Sequence, residues 1–399
     1  MAPNAYIGGE AIVDGRLRRA DVVVTDGHIS AIADPGTLDL TGIETTDCTG
    51  TIIAPGYIDL QCNGAGGVDL TTQPERLFDV ARFLPRFGVT AFLPTVVTSP
   101  IATRRRATDA MAAARSTDNA DNADTDTDTD TDTDGDRVGA VMLGLHFEGP
   151  TISIDHLGAH SRAHVAVPEP SEVDDWIRSG AVRLVTLAPE VDGATDLIDR
   201  LVGAGIVVST GHTAMTPEVF ADARHRGASY VTHLFNAMAA FNHRSPGPIG
   251  AVLADDSVTV GLICDGIHVD PVAVRLAWQS LGPTRLSLVS DAAAPLGAPF
   301  GTFHLGKFEV IYDETGVRTT AGVLAGSALA LDQAVRNLVE FTGCTLLDAI
   351  ATVTTTPADL LGLTDRGRIA VGNHADLTIV DDRGALVATV IAGTTAWTS

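Results

Sequence analysis

Eight short apolar, β-like runs recur along the middle of the chain with helical stretches between them, and this alternation constrains the fold more than any other feature. The runs are TIIAPGYIDL (51–60), TAFLPTVV (90–97), VGAVMLGLHF (138–147), VRLVTLAP (182–189), IVVST (206–210), SYVTHLF (229–235), VTVGLIC (258–264) and RLSLVSD (285–291). Segments such as PERLFDVARFLPRFG, TDLIDRLVGAG and PEVFADARHRG read as the intervening helices. Strands joined through helices run parallel, because the crossover returns the chain to the same edge direction. Eight such units are the number that closes a ring, so the expected fold is an α/β chain with a (β/α)8 TIM barrel over 54–365.

The two ends have a different texture. Residues 1–53 hold short alternating segments (AYIGGEAIV, ADVVVTDGHISAIA) broken by Gly and Asp turns, and 366–399 repeat the pattern in GRIAVGNHADLTIVDDRGALVATVIAG. A small β-sandwich domain assembled from both termini is expected. SALALDQAVRNLVEFTG and TLLDAIATVTTTPADLLGL read as two helices finishing the barrel. Residues 116–136, with no apolar side chain beyond Ala and a dense run of Asp, cannot bury a core and read as a disordered acidic insertion.

Charge narrows the partners. Fifty acidic residues against 26 basic ones give a net charge of −24, and a single lysine, Lys307, stands among the basic residues. Such a chain repels nucleic-acid phosphates rather than releasing their counterions. Asp-rich, Lys-poor composition on a well-packed sequence points to a salt-loving cytoplasm, where self-repulsion is screened. No run approaches 18 consecutive apolar residues, so no membrane span is expected. MAPNAYIGGEAIVDG lacks the pattern of a secretory signal. The four cysteines, Cys48, Cys62, Cys264 and Cys344, show no CxxC spacing and fit reduced thiols in a cytoplasmic protein.

In a barrel of this kind chemistry sits at the C-terminal ends of the strands. Those positions carry Asp59 and Gln61, then His146 and Glu148, His212, His233, Asp265 with His268 beyond it, and Asp291. Two His and one Glu from separate strands suit zinc with an open position for water. An Asp on the last strand is placed to act as general base. His146, two residues before Glu148, faces the same side of its strand and reads as a neighbour of the metal rather than a ligand. Barrels that hold two metals often place His-x-His on the first strand and a carboxylated lysine on the fourth. Here Gln61 and Asn63 fill the first pair of slots, and the fourth strand ends in LAPE. One divalent ion per chain, zinc by choice, held by Glu148, His212 and His233, is therefore expected.

APGYIDLQCNGAGG, GLHFEGP, STGHT, THLFNAM, the Arg-x-Pro-Gly at 244–247, DGIHVDP and SDAAAP occur in an order and spacing that resembles the N-acetylglucosamine-6-phosphate deacetylases of the amidohydrolase superfamily, over roughly residues 50–295. The Gln-x-Asn pair is similar to that of the branch working with one metal. The resemblance implies that Asp291 takes a proton from a water and returns it to the departing amine. It implies backbone N–H groups of Asn236 and Ala237 on the substrate's phosphate, with Arg244 reaching it across a homodimer interface. It also places His268 and His160 against sugar hydroxyls or phosphate, and Gln61 near the water or the ligand. His160 follows HLGA, where that family commonly carries a basic residue before the Gly. The implied reaction is metal-dependent hydrolysis of N-acetyl-D-glucosamine 6-phosphate to D-glucosamine 6-phosphate and acetate. Two alternatives stay open: another N-acyl amino sugar phosphate such as the galactosamine epimer, and a catalytically silent barrel that binds sugar phosphate. The intact Asp291 argues against the silent barrel. A cyclic-amide hydrolase is disfavoured by the missing His-x-His and lysine.

Overall fold

The computed structural model describes residues 3–121 and 138–399, the side chains of 116–121 excepted. Eight parallel strands form the central barrel: β1 (Tyr57–Cys62), β2 (Val89–Val97), β3 (Leu145–Glu148), β4 (Val182–Leu187), β5 (Val207–Thr210), β6 (Tyr230–Val231), β7 (Thr259–Leu262) and β8 (Leu286–Leu288). Each pairs with its successor in chain order. The register aligns the strand ends: Val97 lies opposite Glu148, Glu148 opposite Thr186 and Leu187 opposite Thr210. Residues at the C-terminal ends of separate strands thus share one rim.

Helices α1 (Leu77–Phe83), α2 (Ile101–Asp121), α3 (Pro170–Ser179), α4 (Ala194–Gly203), α5 (Pro217–His225), α6 (Gly247–Ala254), α7 (Pro271–Arg285) and α8 (Leu331–Thr342) surround the strands. Their apolar stripes explain the packing. In α4 the buried set is Ala194, Leu197, Ile198 and Leu201, and in α7 it is Val274, Ala277 and Leu281, both at helical spacing. Starts are set by caps. Thr216 Oγ1 accepts the Val219 N–H and Asp270 Oδ1 accepts the Val272 N–H, each with Pro at the first helical position.

Closure between β8 and β1 uses a side chain where a ladder would be expected. Asp59 Oδ1 accepts the Ser290 N–H at 3.2 Å, and Asp59 Oδ2 accepts the Ser290 hydroxyl at 2.5 Å. One step further along, the Asn63 N–H donates to the Ala292 carbonyl at 2.6 Å. Asp59 is the clasp of the barrel.

The stretch 51–60 is two elements, not one. Ile52–Pro55 pairs antiparallel with Leu377–Val380 and parallel with Glu10–Val13, and the barrel strand starts only at Tyr57. Gly56 makes the handover, because a Cβ there would stand 2.1 Å from Thr90 Oγ1. The run 138–147 likewise breaks at Leu143–Gly144 into Val141–Met142 and β3. The last expected helix divides into Leu346–Ala351 and Thr355–Leu360.

Both termini build the smaller β structure. A six-stranded sheet runs in the order Thr394–Thr398, Leu386–Ile391, Leu377–Val380, Ile52–Pro55, Glu10–Val13, Arg16–Arg19. A four-stranded sheet holds His28–Ala33, Asp21–Thr25, Asn4–Ile7 and Glu44–Asp47. The two share a buried cluster that includes Tyr6, Val22, Ile29, Ile53, Leu377 and Val390.

Nothing in the strand count anticipates a third feature. Gly301–Leu305, Phe308–Asp313 and Gly316–Thr319 form an antiparallel sheet after β8. It packs Leu305, Val310 and Val317 against Val97, Ala159 and Ala293 at the mouth of the barrel. Of the acidic segment 116–136, the first six residues lie in the last turns of α2 and the remainder falls outside the described residues. Among the described residues, no helix is long and apolar enough to cross a membrane.

Candidate active site

Glu148 ends β3, His212 follows β5 and His233 follows β6. Their ligand atoms converge: Glu148 Oε1 lies 3.0 Å from His212 Nε2 and 2.8 Å from His233 Nε2, and the two Nε2 atoms are 3.2 Å apart. Three donors about 2.1 Å from one ion would be separated by about 3.0–3.4 Å, close to the 2.8–3.2 Å of this triangle. Protonation supports the same reading. His212 Nδ1–H donates to the His156 carbonyl at 3.0 Å. Burial, followed by the charge of His160, pushes His212 down to about 4, so at neutral pH its Nε2 carries a lone pair. That lone pair faces a carboxylate oxygen. Burial alone would raise Glu148, but the charge and hydrogen bond of His160, with the hydrogen bond of His233, outweigh it and hold the carboxyl well below its ordinary value. Two facing acceptors repel unless a cation lies between them. The donor set therefore fits a divalent ion.

Asp291 lines the same cleft, and the two puzzling amides of β1 lead to it. Gln61 Nε2 donates to Asp291 Oδ1 at 2.9 Å and Asn63 Nδ2 donates to the same oxygen at 2.7 Å. All three side chains are buried. The amides fix one carboxylate oxygen and leave Oδ2 as the site for a proton. Burial, then the charge of Glu148, pushes Asp291 up to about 7, suited to taking and returning a proton near neutrality. The amide oxygens of Gln61 and Asn63 have no hydrogen-bond partner among the described residues, and of the two side chains Asn63 lines the cleft.

Backbone conformation sharpens the arrangement. His212, His233 and Asp291 all have positive φ, at 51°, 29° and 46°. Such conformations are costly for residues with a Cβ and persist where surroundings hold them. Here each carbonyl is tied down: His212 accepts from the Ser153 N–H at 2.9 Å, His233 from Asn236 at 3.0 Å and Asp291 from Ser327 at 2.7 Å.

The remaining expected residues divide by position. His268 lines the cleft with its Nδ1 2.6 Å from Asp265 Oδ2, and Asp265 Oδ1 accepts the backbone N–H groups of Ile267 and His268. Asn236 and Ala237 line it too. The Asn236 N–H already serves the His233 carbonyl, so a phosphate would compete for it. His160 sits with Nε2 3.5 Å from Glu148 Oε2 and Nδ1 2.8 Å from Thr98 Oγ1, which places it against the carboxylate ligand. Arg244 is exposed, and its backbone N–H bonds Asn242 Oδ1 at 2.9 Å; it is not among the residues lining its own chain's cleft. His146 lies in the interior, its Nδ1–H on the Leu60 carbonyl and its Nε2 accepting from Thr186 Oγ1 at 2.7 Å. Burial lowers it to about 4, so it is a neutral strut.

Asn63, read in the sequence only as an unfilled metal-ligand slot, is the residue the structure adds to the site; its alternation with Gln61 at the end of β1 was the available signal. Leu305, Val323 and Leu324, which also line the cleft, belong to the segment that begins with the unexpected sheet and carried no signal. The cleft has a volume of about 170 Å3.

A parallel barrel that gathers two imidazoles, a carboxylate and a nearby acid at its strand ends is the architecture of a metal-assisted hydrolase. Sequence comparison agrees. The chain belongs to the amidohydrolase family, whose model matches residues 52–396. It is 36% identical over 402 residues to the N-acetylglucosamine-6-phosphate deacetylase of Bos taurus, covering 96% of this chain and 93% of the relative. It is 35% identical over 406 residues to the N-acetylgalactosamine-6-phosphate deacetylase of Shewanella sp. (strain ANA-3), covering 98% of this chain and 97% of the relative. Among solved structures, a mutant N-acetyl-D-glucosamine-6-phosphate deacetylase from Mycobacterium smegmatis, in complex with N-acetyl-D-glucosamine-6-phosphate, superposes with a TM-score of 0.88 at 29% identity over all of both chains.

Proposed function

We infer that this chain hydrolyses the acetamide bond of N-acetyl-D-glucosamine 6-phosphate, giving D-glucosamine 6-phosphate and acetate. The observation that carries this is the convergence of Glu148, His212 and His233 with the amide-held Asp291 in one cleft, in a chain whose full-length relatives bear that name. When bound by Glu148, His212 and His233, a divalent ion, zinc in this reading, supplies Lewis acidity toward the acetamide carbonyl and toward a water. Asp291 receives the proton of the attacking water on Oδ2 and passes it to the leaving nitrogen, while Gln61 and Asn63 keep the carboxylate from turning. His160 steadies Glu148, and His268 with the Asn236–Ala237 backbone meets the sugar phosphate. One ion per chain is the reading, supported by Gln61 and Asn63, whose amide N–H groups are given to Asp291 where imidazole ligands of a second ion would otherwise stand. Arg244, exposed on its own chain, reaches the phosphate of a partner's substrate in a homodimer.

The test is acetate release on the 6-phosphate and its unphosphorylated analogue in molar salt, combined with metal analysis. A strong preference for the phosphate, about one metal per chain and a loss of at least about a hundredfold in Asp291→Asn are expected. Near-normal turnover by Asp291→Asn would sink the assigned roles. The galactosamine epimer is the second reading, favoured by the Shewanella relative, and the ratio of kcat/KM for the two epimers decides between them. The charge of −24 supports a high-salt cytoplasm as the working environment.

A further inference from the structure

We propose that a second cavity, sharing a wall with the catalytic cleft, is a binding site for a small phosphate-bearing anion. This cavity has a volume of about 250 Å3 and lies between the residues leading into α2, the 159–164 segment and the hairpin turn at Gly306–Lys307. Val97, Ala159 and Leu305 line both spaces and form the wall. Pockets for drug-sized ligands run about 300–1,000 Å3, so the occupant here is smaller.

Its lining is unusual for this protein. Arg106, His164 and Lys307 all face it, and Lys307 is the single lysine of the sequence. On a chain of charge −24 the average surface repels an anion, and only a local gathering of cations and donors holds one. Arg106 is already paired with Glu75 at 2.9 Å, which spends part of its charge. Lys307 is exposed at the rim, its ammonium 5.1 Å from the Phe308 ring.

An independent observation comes from the hydroxyls. Ser99 and Ser161 line the cavity and are 4% and 3% exposed, yet neither Oγ has a hydrogen-bond partner among the described residues. A buried hydroxyl left without a partner is costly, because it has given up its hydrogen bonds to water. Because a hydroxyl is a rotor, either one can turn to a ligand without surrendering a protein bond. Hydroxyls, a guanidinium and an ammonium around a small space are the donors a phosphate group takes. Ser99 also precedes the first turn of α2, where the helix terminus favours negative charge.

The position sets this anion beside the catalytic cleft. Thr98 and Ser161 both line the second cavity; Thr98 Oγ1 bonds His160 Nδ1 at 2.8 Å, and Ser161 follows His160 in the chain. His160 in turn faces Glu148 Oε2.

The experiment is calorimetric titration of the intact protein with inorganic phosphate in molar potassium chloride, the catalytic cleft first saturated with glucosamine 6-phosphate. Lys307→Gln and Ser99→Ala are titrated in parallel. One phosphate per chain is expected, weakened about tenfold in Lys307→Gln as the loss of a charge-assisted contact implies, with KM for deacetylation unchanged. Two glucosamine 6-phosphate molecules per chain, one of them sensitive to Lys307→Gln, would make the sugar phosphate itself the source of the anion. Crystals soaked in tungstate locate the site whatever the reaction: a heavy-atom peak between Ser99, Ser161 and Lys307 supports it. A peak confined to the catalytic cleft, or phosphate binding indifferent to both substitutions, overturns it.

Discussion

Replacing Asn63 by alanine removes the shorter of the two amide bonds to Asp291 Oδ1, the one at 2.7 Å. Asn63 is 1% exposed, so no bulk water takes its place. A hydrogen bond to a charged group in such a setting is worth about 1.5–3 kcal/mol, and one pKa unit corresponds to about 1.4 kcal/mol. Losing the donor therefore raises the Asp291 pKa by about one to two units, toward the lower end because Gln61 still holds the same oxygen. The sign follows from which form the bond favours. Asn63 stabilises the ionised carboxylate, the form that accepts a proton, so its removal moves the acidic limb of kcat/KM to higher pH. In the protein alone, burial and Glu148 place Asp291 at about 7, and a divalent cation beside it draws the working value lower. The variant's limb is expected about one unit above the parent's, with activity about tenfold lower on the acidic side of both limbs. The assay is acetate release from pH 5 to 9 in molar salt, with metal content measured for both proteins. An acidic limb that stays in place, or moves to lower pH at equal metal content, refutes the argument.

Asp59→Asn tests the barrel clasp. Burial pushes Asp59 up to about 6 from an ordinary 3.8, despite its hydrogen bonds from Ser290 and Gln61. The folded protein thus holds a proton that the unfolded chain has released between these values, and stability falls as pH rises through the window, by about 3 kcal/mol in all. Asparagine has no such proton, so the difference in unfolding free energy should move about 2.5 kcal/mol in the variant's favour between pH 4 and 7; a pH-independent difference by urea unfolding contradicts it. Glu148→Gln keeps the size but removes the charged ligand, and metal bound per chain after dialysis should fall from about one to near none, with far-UV circular dichroism unchanged. Retained metal would remove Glu148 from the ligand set. Exchange from molar potassium chloride into low salt should lower Tm, because 50 acidic side chains then repel at longer range; an unchanged Tm counts against a high-salt origin.

What the sequence alone determined is local and periodic. Runs of β-branched and apolar residues alternating with helical stripes need no tertiary information to imply parallel strands, and the acids and imidazoles at the ends of those runs imply one rim. Glu148, His212 and His233 were legible for that reason, and the structure brings their donor atoms within 3.2 Å of one another. What only the tertiary structure decided depends on contacts that periodicity does not encode. The split of residues 51–60 at Gly56 arises because Ile52–Pro55 finds partners more than 300 residues away, at Leu377–Val380. The sheet over 301–319 matters to the cleft only through packing on Val97 and Ala159. Gln61 and Asn63 looked like an incomplete metal motif, since a side chain's partner is invisible until the chain closes. Closing the barrel sets them against an Asp 230 and 228 positions further on. In the folded protein the same two amides become the donors that hold the Asp291 carboxylate.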